Sequence, residues 1–125
     1  MRNFINPSNW PLSIRLALVG GLYLAVALVA LLPNAKPPGD GVDLWLHALT
    51  FSGLTIITVG AFGRLLAAAA IVFAFSVLIE VAQLYIPGRS GTLDDIAANA
   101  LGVAAAVVIA IVGGVFLQNW QGKQQ

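Results

Sequence analysis

The stretch LLAAAAIVFAFSVLIEVAQLYI, residues 65–86, indicates the environment in which the whole chain folds. It contains one charged side chain, that of Glu80, and is otherwise almost entirely apolar. About 20 apolar residues in a helix are enough to cross the roughly 30 Å hydrocarbon core of a bilayer. The stretch therefore predicts a transmembrane helix.

The composition of the whole chain supports the same environment. Of the 125 residues, 59% are hydrophobic and 9% are charged, whereas soluble domains are about 45–50% apolar and about 25% charged. Because a small domain cannot hide such an apolar excess from water, that excess must contact the lipid bilayer. The formal net charge of +1 argues against a nucleic-acid partner, and the absence of cysteine excludes disulfides and thiolate chemistry.

Three further apolar runs accompany the first one. The four predicted spans cover residues 16–32, 44–62, 65–86 and 96–117. Segments rich in proline and glycine, 33–41 and 87–91, separate the first and last pairs, and Gly63-Arg64 forms a very short turn between the second and third. We expect an all-α, integral membrane four-helix bundle that forms a single membrane domain over residues 1–125, with Thr92 or Asp94 capping the fourth span.

The basic residues of the loops predict the orientation of the chain. Four lie on the side of the termini and two on the other side: Arg2, Arg15, Arg64 and Lys123 against Lys36 and Arg89. By the positive-inside rule, both termini are expected in the cytoplasm. A signal peptide is the alternative to the first span, but the run is long for one and no small-x-small cleavage site follows Ala30.

Polar side chains on three spans are expected at one membrane level. Glu80 lies roughly 10 Å from the end of its helix, where a carboxylate is costly unless it is protonated, paired or facing water. Ser76 and Gln83 share its helical face, while His47 and Asn99 belong to neighbouring spans. The predicted binding residues are His47, Glu80, Gln83, Arg89, Asp95 and Asn99, with Asp43 as a contributor. The competing interpretation is that these groups only hold the helices together.

Small residues repeat every four positions along the fourth span. They are Ala98, Gly102, Ala106, Ala110 and Gly114. Such a face lets another helix approach closely. It is predicted to serve helix packing, and we favour the second span of the same chain over a second protomer as the partner.

The combined polar pattern resembles the VanZ-like family of small bacterial membrane proteins. The resemblance is carried by Ile79-Glu80-Val81-Ala82-Gln83-Leu84-Tyr85-Ile86-Pro87-Gly88-Arg89, by Asp94-Asp95 and Asn99-Ala100-Leu101-Gly102, and by Asp43 and His47. It implies a multi-pass protein of the bacterial cytoplasmic membrane, and the namesake of the family lowers susceptibility to the glycopeptide antibiotic teicoplanin. Relatives often carry a lysine directly after the first aspartate, where this chain has Leu44.

Several functions are compatible with these residues. The favoured hypothesis is binding or modulation of a cell-envelope component, either a lipid-linked intermediate or a glycopeptide, by an outward-facing polar cluster. The alternatives are a membrane-embedded enzyme acting on a lipid-linked substrate, an accessory subunit for another membrane protein, and an ion or proton carrier. No nucleophile with a matching base is recognisable, so the sequence argues against catalysis without excluding it. In the enzyme alternative, His47, Glu80 and Asp95 could hold a divalent metal ion, but no metal-ligand spacing occurs on one helix, and the sequence predicts no metal ion and no cofactor.

Overall fold

Four long helices form the fold in the computed structural model, which describes residues 9–34 and 41–122 and, from residue 115, the backbone alone. They are α1 (Leu12–Ala30), α2 (Val42–Phe62), α3 (Leu65–Gln83) and α4 (Leu93–Gly122). Each is long and apolar enough to cross a membrane, in α4 over Leu93–Gly114. No strand occurs in the described ranges, so the all-α membrane fold predicted from the sequence is confirmed.

The helix ends differ by a few residues from the ends of the apolar runs, because local contacts determine where each helix begins and stops. Helix α1 begins four residues before its run, directly after Pro11, and tolerates Arg15 because its guanidinium donates to the Ala61 carbonyl at 2.9 Å. Helix α3 stops at Gln83 rather than Ile86, since the chain turns before Pro87. Arg2, Lys36 and Lys123, which enter the orientation prediction, lie outside the described residues.

Helix α4 begins at Leu93, three residues before its apolar run, because Thr92 caps it. The Thr92 hydroxyl accepts a hydrogen bond from the Asp95 amide at 3.1 Å, as an N-cap residue does. The same hydroxyl donates to the Asp95 carboxylate at 2.7 Å. Of the two capping residues considered from the sequence, the structure uses Thr92.

Helix α4 packs most extensively against α2. A Cβ atom added at Gly102 would collide with the backbone carbonyl of Ala48, so this contact requires glycine. Ala98 and Ala106 are buried on the same face, Ala110 is half-buried, and Gly114 is exposed. The close approach of the two backbones therefore occupies the first half of the predicted small-residue face and does not reach Gly114.

The connections make neighbouring helices antiparallel. Gly63, with φ of 68°, ends α2 in the left-handed conformation and allows the immediate return into α3. Helix α1 packs on α2 and α3, but none of its side chains is buried. As a result, the starts of α2 and α4 and the end of α3 lie at one end of the bundle, and α1 runs along its side.

Candidate functional site

The site is a group of polar side chains that three helices place at the same end of the bundle. We call Asp43, His47, Glu80, Asp95 and Asn99 the polar cluster. Asp43 and His47 stand one turn apart at the start of α2, Glu80 lies in the last turn of α3, and Asp95 and Asn99 stand one turn apart at the start of α4. Glu80, Asp95 and Asn99 are buried, and Asp43 and His47 are half-buried.

A chain of contacts joins the three helices through one edge of the imidazole. The Nδ1 atom of His47 lies 3.0 Å from Oδ1 of Asn99 and 3.3 Å from Oε1 of Glu80. The Asn99 amide nitrogen donates to that same Glu80 oxygen at 3.2 Å. Because the amide donates through its nitrogen, its oxygen is the acceptor that faces His47, and Nδ1 of His47 carries the proton.

The opposite edge of the imidazole faces two carboxylates. Its Nε2 atom lies 3.7 Å from Oδ1 of Asp43 and 3.9 Å from Oδ1 of Asp95. The other oxygen of Asp95 is held by Thr92, which fixes the orientation of this carboxylate. His47 thus faces the Asn99 amide and a Glu80 oxygen on one side and two aspartate oxygens on the other.

Glu80 carries a polar atom that the cluster does not satisfy. Its Oε2 atom is buried and accepts no hydrogen bond from the residues that the structure describes. Buried polar atoms are nearly always paired in folded proteins, so such an exception calls for a physical explanation. Arg89, which is half-buried, is near enough to Glu80 to interact with it electrostatically.

Gln83 occupies a different position from the rest of the predicted binding set. Its amide nitrogen donates to the carbonyl of Ala30 at 2.9 Å, which ties the end of α3 to the end of α1. It also lines a small polar cavity of about 10 Å³ beside the cluster, together with Asp43, His47, Gly88, Arg89, Ser90 and Asp95. Gln83 therefore lines the cavity beside the cluster, while its hydrogen bond holds the end of α1 against the end of α3.

A larger, mostly apolar groove of about 390 Å³ leads away from the cluster between α1, α2 and α3. We call it the lateral groove. Its apolar walls come from α1, α2 and α3: Ala25, Val26, Val29, Ala30, Leu46, Phe51 and Ile79. Its polar lining comes from Asp43, His47, Thr50 and Arg89. The lateral groove is therefore apolar along most of its walls and charged where it meets the polar cluster.

The contribution of α1 to this site is not visible in the sequence. Its lining residues are alanines and valines within a uniformly apolar run, and no spacing distinguishes them from residues that face lipid. The role of Thr92 can be recognised in the sequence, because a threonine followed by an acidic residue three positions later is a known N-terminal capping pattern of helices. The involvement of Asp43 is also visible in the sequence, because Asp43 precedes His47 by four residues and therefore lies on the same face of the helix.

Comparison with known proteins gives one family. Residues 3–117, nearly the whole chain, match the family model described as VanZ/LLP1. No curated protein and no solved structure matches the chain. The match includes every member of the polar cluster and every residue that lines the lateral groove.

Proposed function

The chain belongs to the VanZ/LLP1 family, and from the geometry of its site we propose that it binds an amphiphilic component of the cell envelope, with the head group at the polar cluster and the tail in the lateral groove. The proposed ligand is a lipid-linked intermediate with a phosphate head group. The protein would lie in the bacterial cytoplasmic membrane with both termini in the cytoplasm, so that the cluster faces outward. Teicoplanin, a glycopeptide antibiotic that would reach the protein from the outer leaflet, is a second candidate ligand for the same site.

The observation that carries this proposal is the continuity between the lateral groove and the polar cluster. A groove with apolar walls and a few convergent polar groups at one end is the usual form of a site for a molecule with an apolar body. Here Asp43, His47 and Arg89 stand at the polar end. An alkyl or prenyl chain fits such walls, whereas a small hydrophilic solute gains nothing from them.

Arg89 and the acids at the polar end support different parts of one head group, an anionic centre and its hydrogen-bonding substituents. The guanidinium of Arg89 offers several donors in a geometry that suits phosphate. The carboxylates of Asp43 and Asp95 accept hydrogen bonds from hydroxyl or amide groups. A phosphate carrying a sugar or peptide meets both requirements, because it presents acceptors to the arginine and donors to the acids.

Photolabelling tests the proposal with a polyprenyl phosphate that carries a diazirine in its tail. The purified protein in lipid nanodiscs should be labelled on α1, α2 or α3 at residues of the lateral groove. Val29→Trp should lower the labelling about tenfold or more, since an indole at this position fills the groove; 1.4 kcal/mol of lost binding is enough for that factor. The measurement is the mass-spectrometric yield of labelled peptide.

Leu28→Trp is the matched control. Leu28 and Val29 are adjacent on α1 and are exposed to a similar extent, 61% and 65%, but Leu28 does not line the groove. Equal labelling of the two variants, or full displacement of the probe by an equal amount of phosphatidylglycerol, would reduce the interaction to ordinary lipid contact. Displacement by teicoplanin would support the antibiotic as a ligand, and its failure to compete would remove that part of the proposal.

A further inference from the structure

We propose that Asp43, His47 and Asp95 bind one divalent transition-metal ion. One ligand atom from each of the three side chains can be chosen so that all lie within 4.8 Å of one another. Imidazole nitrogen and carboxylate oxygen are common ligands of Zn²⁺, and three protein ligands with an open fourth position are typical of reactive zinc sites. The inference goes beyond the proposed lipid binding and does not depend on it.

The distances at Nε2 of His47 favour an ion over a direct hydrogen bond. The separations of 3.7 Å to Asp43 and 3.9 Å to Asp95 exceed the range of about 2.7–3.2 Å for an N–H to oxygen bond. Ligand atoms about 2.1 Å from a tetrahedral ion are roughly 3.4 Å apart. Small movements of the two aspartate side chains therefore bring all three atoms into coordination range.

The surroundings of His47 leave its Nε2 atom available as a ligand. Its Nδ1 hydrogen is directed at Asn99, whose amide orientation is set by its own bond to Glu80. Histidines that bind metal ions almost always donate their second ring nitrogen in this way, which fixes the tautomer. Thr92 orients Asp95 by the same principle, because it binds the oxygen that does not face the imidazole.

The charge and space around the three ligands also suit a divalent ion. The carboxylates of Asp43 and Asp95 line the small polar cavity together with one guanidinium, that of Arg89, so acidic groups outnumber basic ones beside the ligands. The small polar cavity of about 10 Å³ beside the ligands has room for one ion-sized or water-sized sphere. The Asp43 side chain is 27% exposed, so the ligands are accessible from outside the bundle.

Isothermal titration with Zn²⁺ tests the site in detergent-solubilised protein purified without a polyhistidine tag. We expect one ion per chain, and we expect His47→Gln and Asp95→Asn each to weaken binding about tenfold or more. Asp94→Asn is the matched control, because Asp94 is the exposed neighbour of Asp95 on the same helix. Equal affinity in the wild type and in both ligand variants, or an equal loss in Asp94→Asn, would overturn the proposal.

A measurement on the unaltered chain covers the case in which a variant fails to fold. His47 is the only histidine in the sequence, so a ¹⁵N-imidazole spectrum contains a single pair of ring nitrogens. Saturating Zn²⁺ should shift the Nε2 resonance to the metal-bound position while Nδ1 stays protonated. An unshifted pair, or a ring protonated on both nitrogens, would show that His47 forms ion pairs with the aspartates instead. In unlabelled protein, Mn²⁺ read by pulsed EPR should show coupling to an imidazole ¹⁴N nucleus, and its absence would count against the site.

Discussion

At the scale of single residues, Asn99 organises the polar cluster. It is fully buried and acts in two directions, as an acceptor for His47 and as a donor to Glu80. Asn99→Asp removes the donor and places a second carboxylate against Glu80. We expect it to lower the free energy of unfolding by about 1–3 kcal/mol, the usual effect of leaving a buried polar group unpaired, measured by denaturant titration in detergent micelles.

The reciprocal exchange serves as the control for that variant. In the double variant Asn99→Asp, Glu80→Gln, the donor and the acceptor trade places, and His47 keeps a partner for Nδ1. More than half of the lost stability should therefore return. If the double variant is as unstable as Asn99→Asp alone, the hydrogen bond between positions 80 and 99 contributes nothing to stability.

At the scale of helices, the contact between α2 and α4 sets the geometry of the cluster. The Gly102 Cα atom faces the Ala48 carbonyl, and Ala48 directly follows His47. Gly102→Ala forces the two backbones apart and should cost about 1–3 kcal/mol of stability, the typical effect of overpacking. We also expect weaker Zn²⁺ binding, because His47 and Asp95 then move away from each other.

Gly114→Ala provides the comparison on the same helix. A Cβ atom there meets no described atom within 4 Å. Since alanine favours helix over glycine by about 1 kcal/mol, this change should be neutral or slightly stabilising. Equal destabilisation by the two substitutions would contradict the assignment of the Gly102 effect to the contact with Ala48, because a Cβ atom at position 114 makes no such contact.

The helices themselves could be predicted because lipid imposes a simple requirement on the sequence. A chain that crosses the bilayer must satisfy its backbone hydrogen bonds internally, so a long apolar run becomes a helix with little dependence on tertiary context. Helix ends depend on single contacts instead. The hydrogen bond of Arg15 to Ala61 allows α1 to begin before its apolar run, and the Thr92 cap does the same for α4. A hydropathy profile reveals neither contact.

At the scale of the whole molecule, the proposal requires the polar cluster to face away from the cytoplasm. The chain contains no cysteine, so single substitutions can be labelled without background. Ser90→Cys and Arg64→Cys probe exposed positions in the connections at opposite ends of the bundle. In intact cells, an impermeant maleimide should label Ser90→Cys and leave Arg64→Cys unmodified, because basic residues favour the cytoplasmic side.

Permeabilised cells supply the reference for that experiment, since both variants should react there. Labelling of Arg64→Cys but not Ser90→Cys in intact cells would place the cluster in the cytoplasm. That result would remove the outer-leaflet ligands from the proposed function. It would leave the metal-binding inference intact, because the three ligands are the same in either orientation.

The polar cluster follows from the sequence more directly than the lateral groove does. Residues with charged or amide side chains are expensive in lipid, so three spans that each carry one near the same end are expected to meet. Which neighbour each one contacts depends on helix rotation. Gln83 shows why individual contacts could not be predicted: it is three residues from Glu80, yet it donates a hydrogen bond to the Ala30 carbonyl on α1. The groove depends on how α1 leans on α2 and α3, which apolar composition does not specify.

Because α1 buries none of its own side chains and still supplies one wall of the groove, the proposed function assigns tail selectivity to α1 and head-group selectivity to the polar cluster. Substitutions at Ala25 or Val29 can widen or shorten the groove, whereas Tyr23 on the same helix packs against the core and hydrogen-bonds to Thr58 of α2. On the proposed function, relatives are expected to differ in preferred hydrocarbon length through α1 and to share the head-group chemistry of the polar cluster. Exchanging α1 between two relatives should then exchange the tail preference.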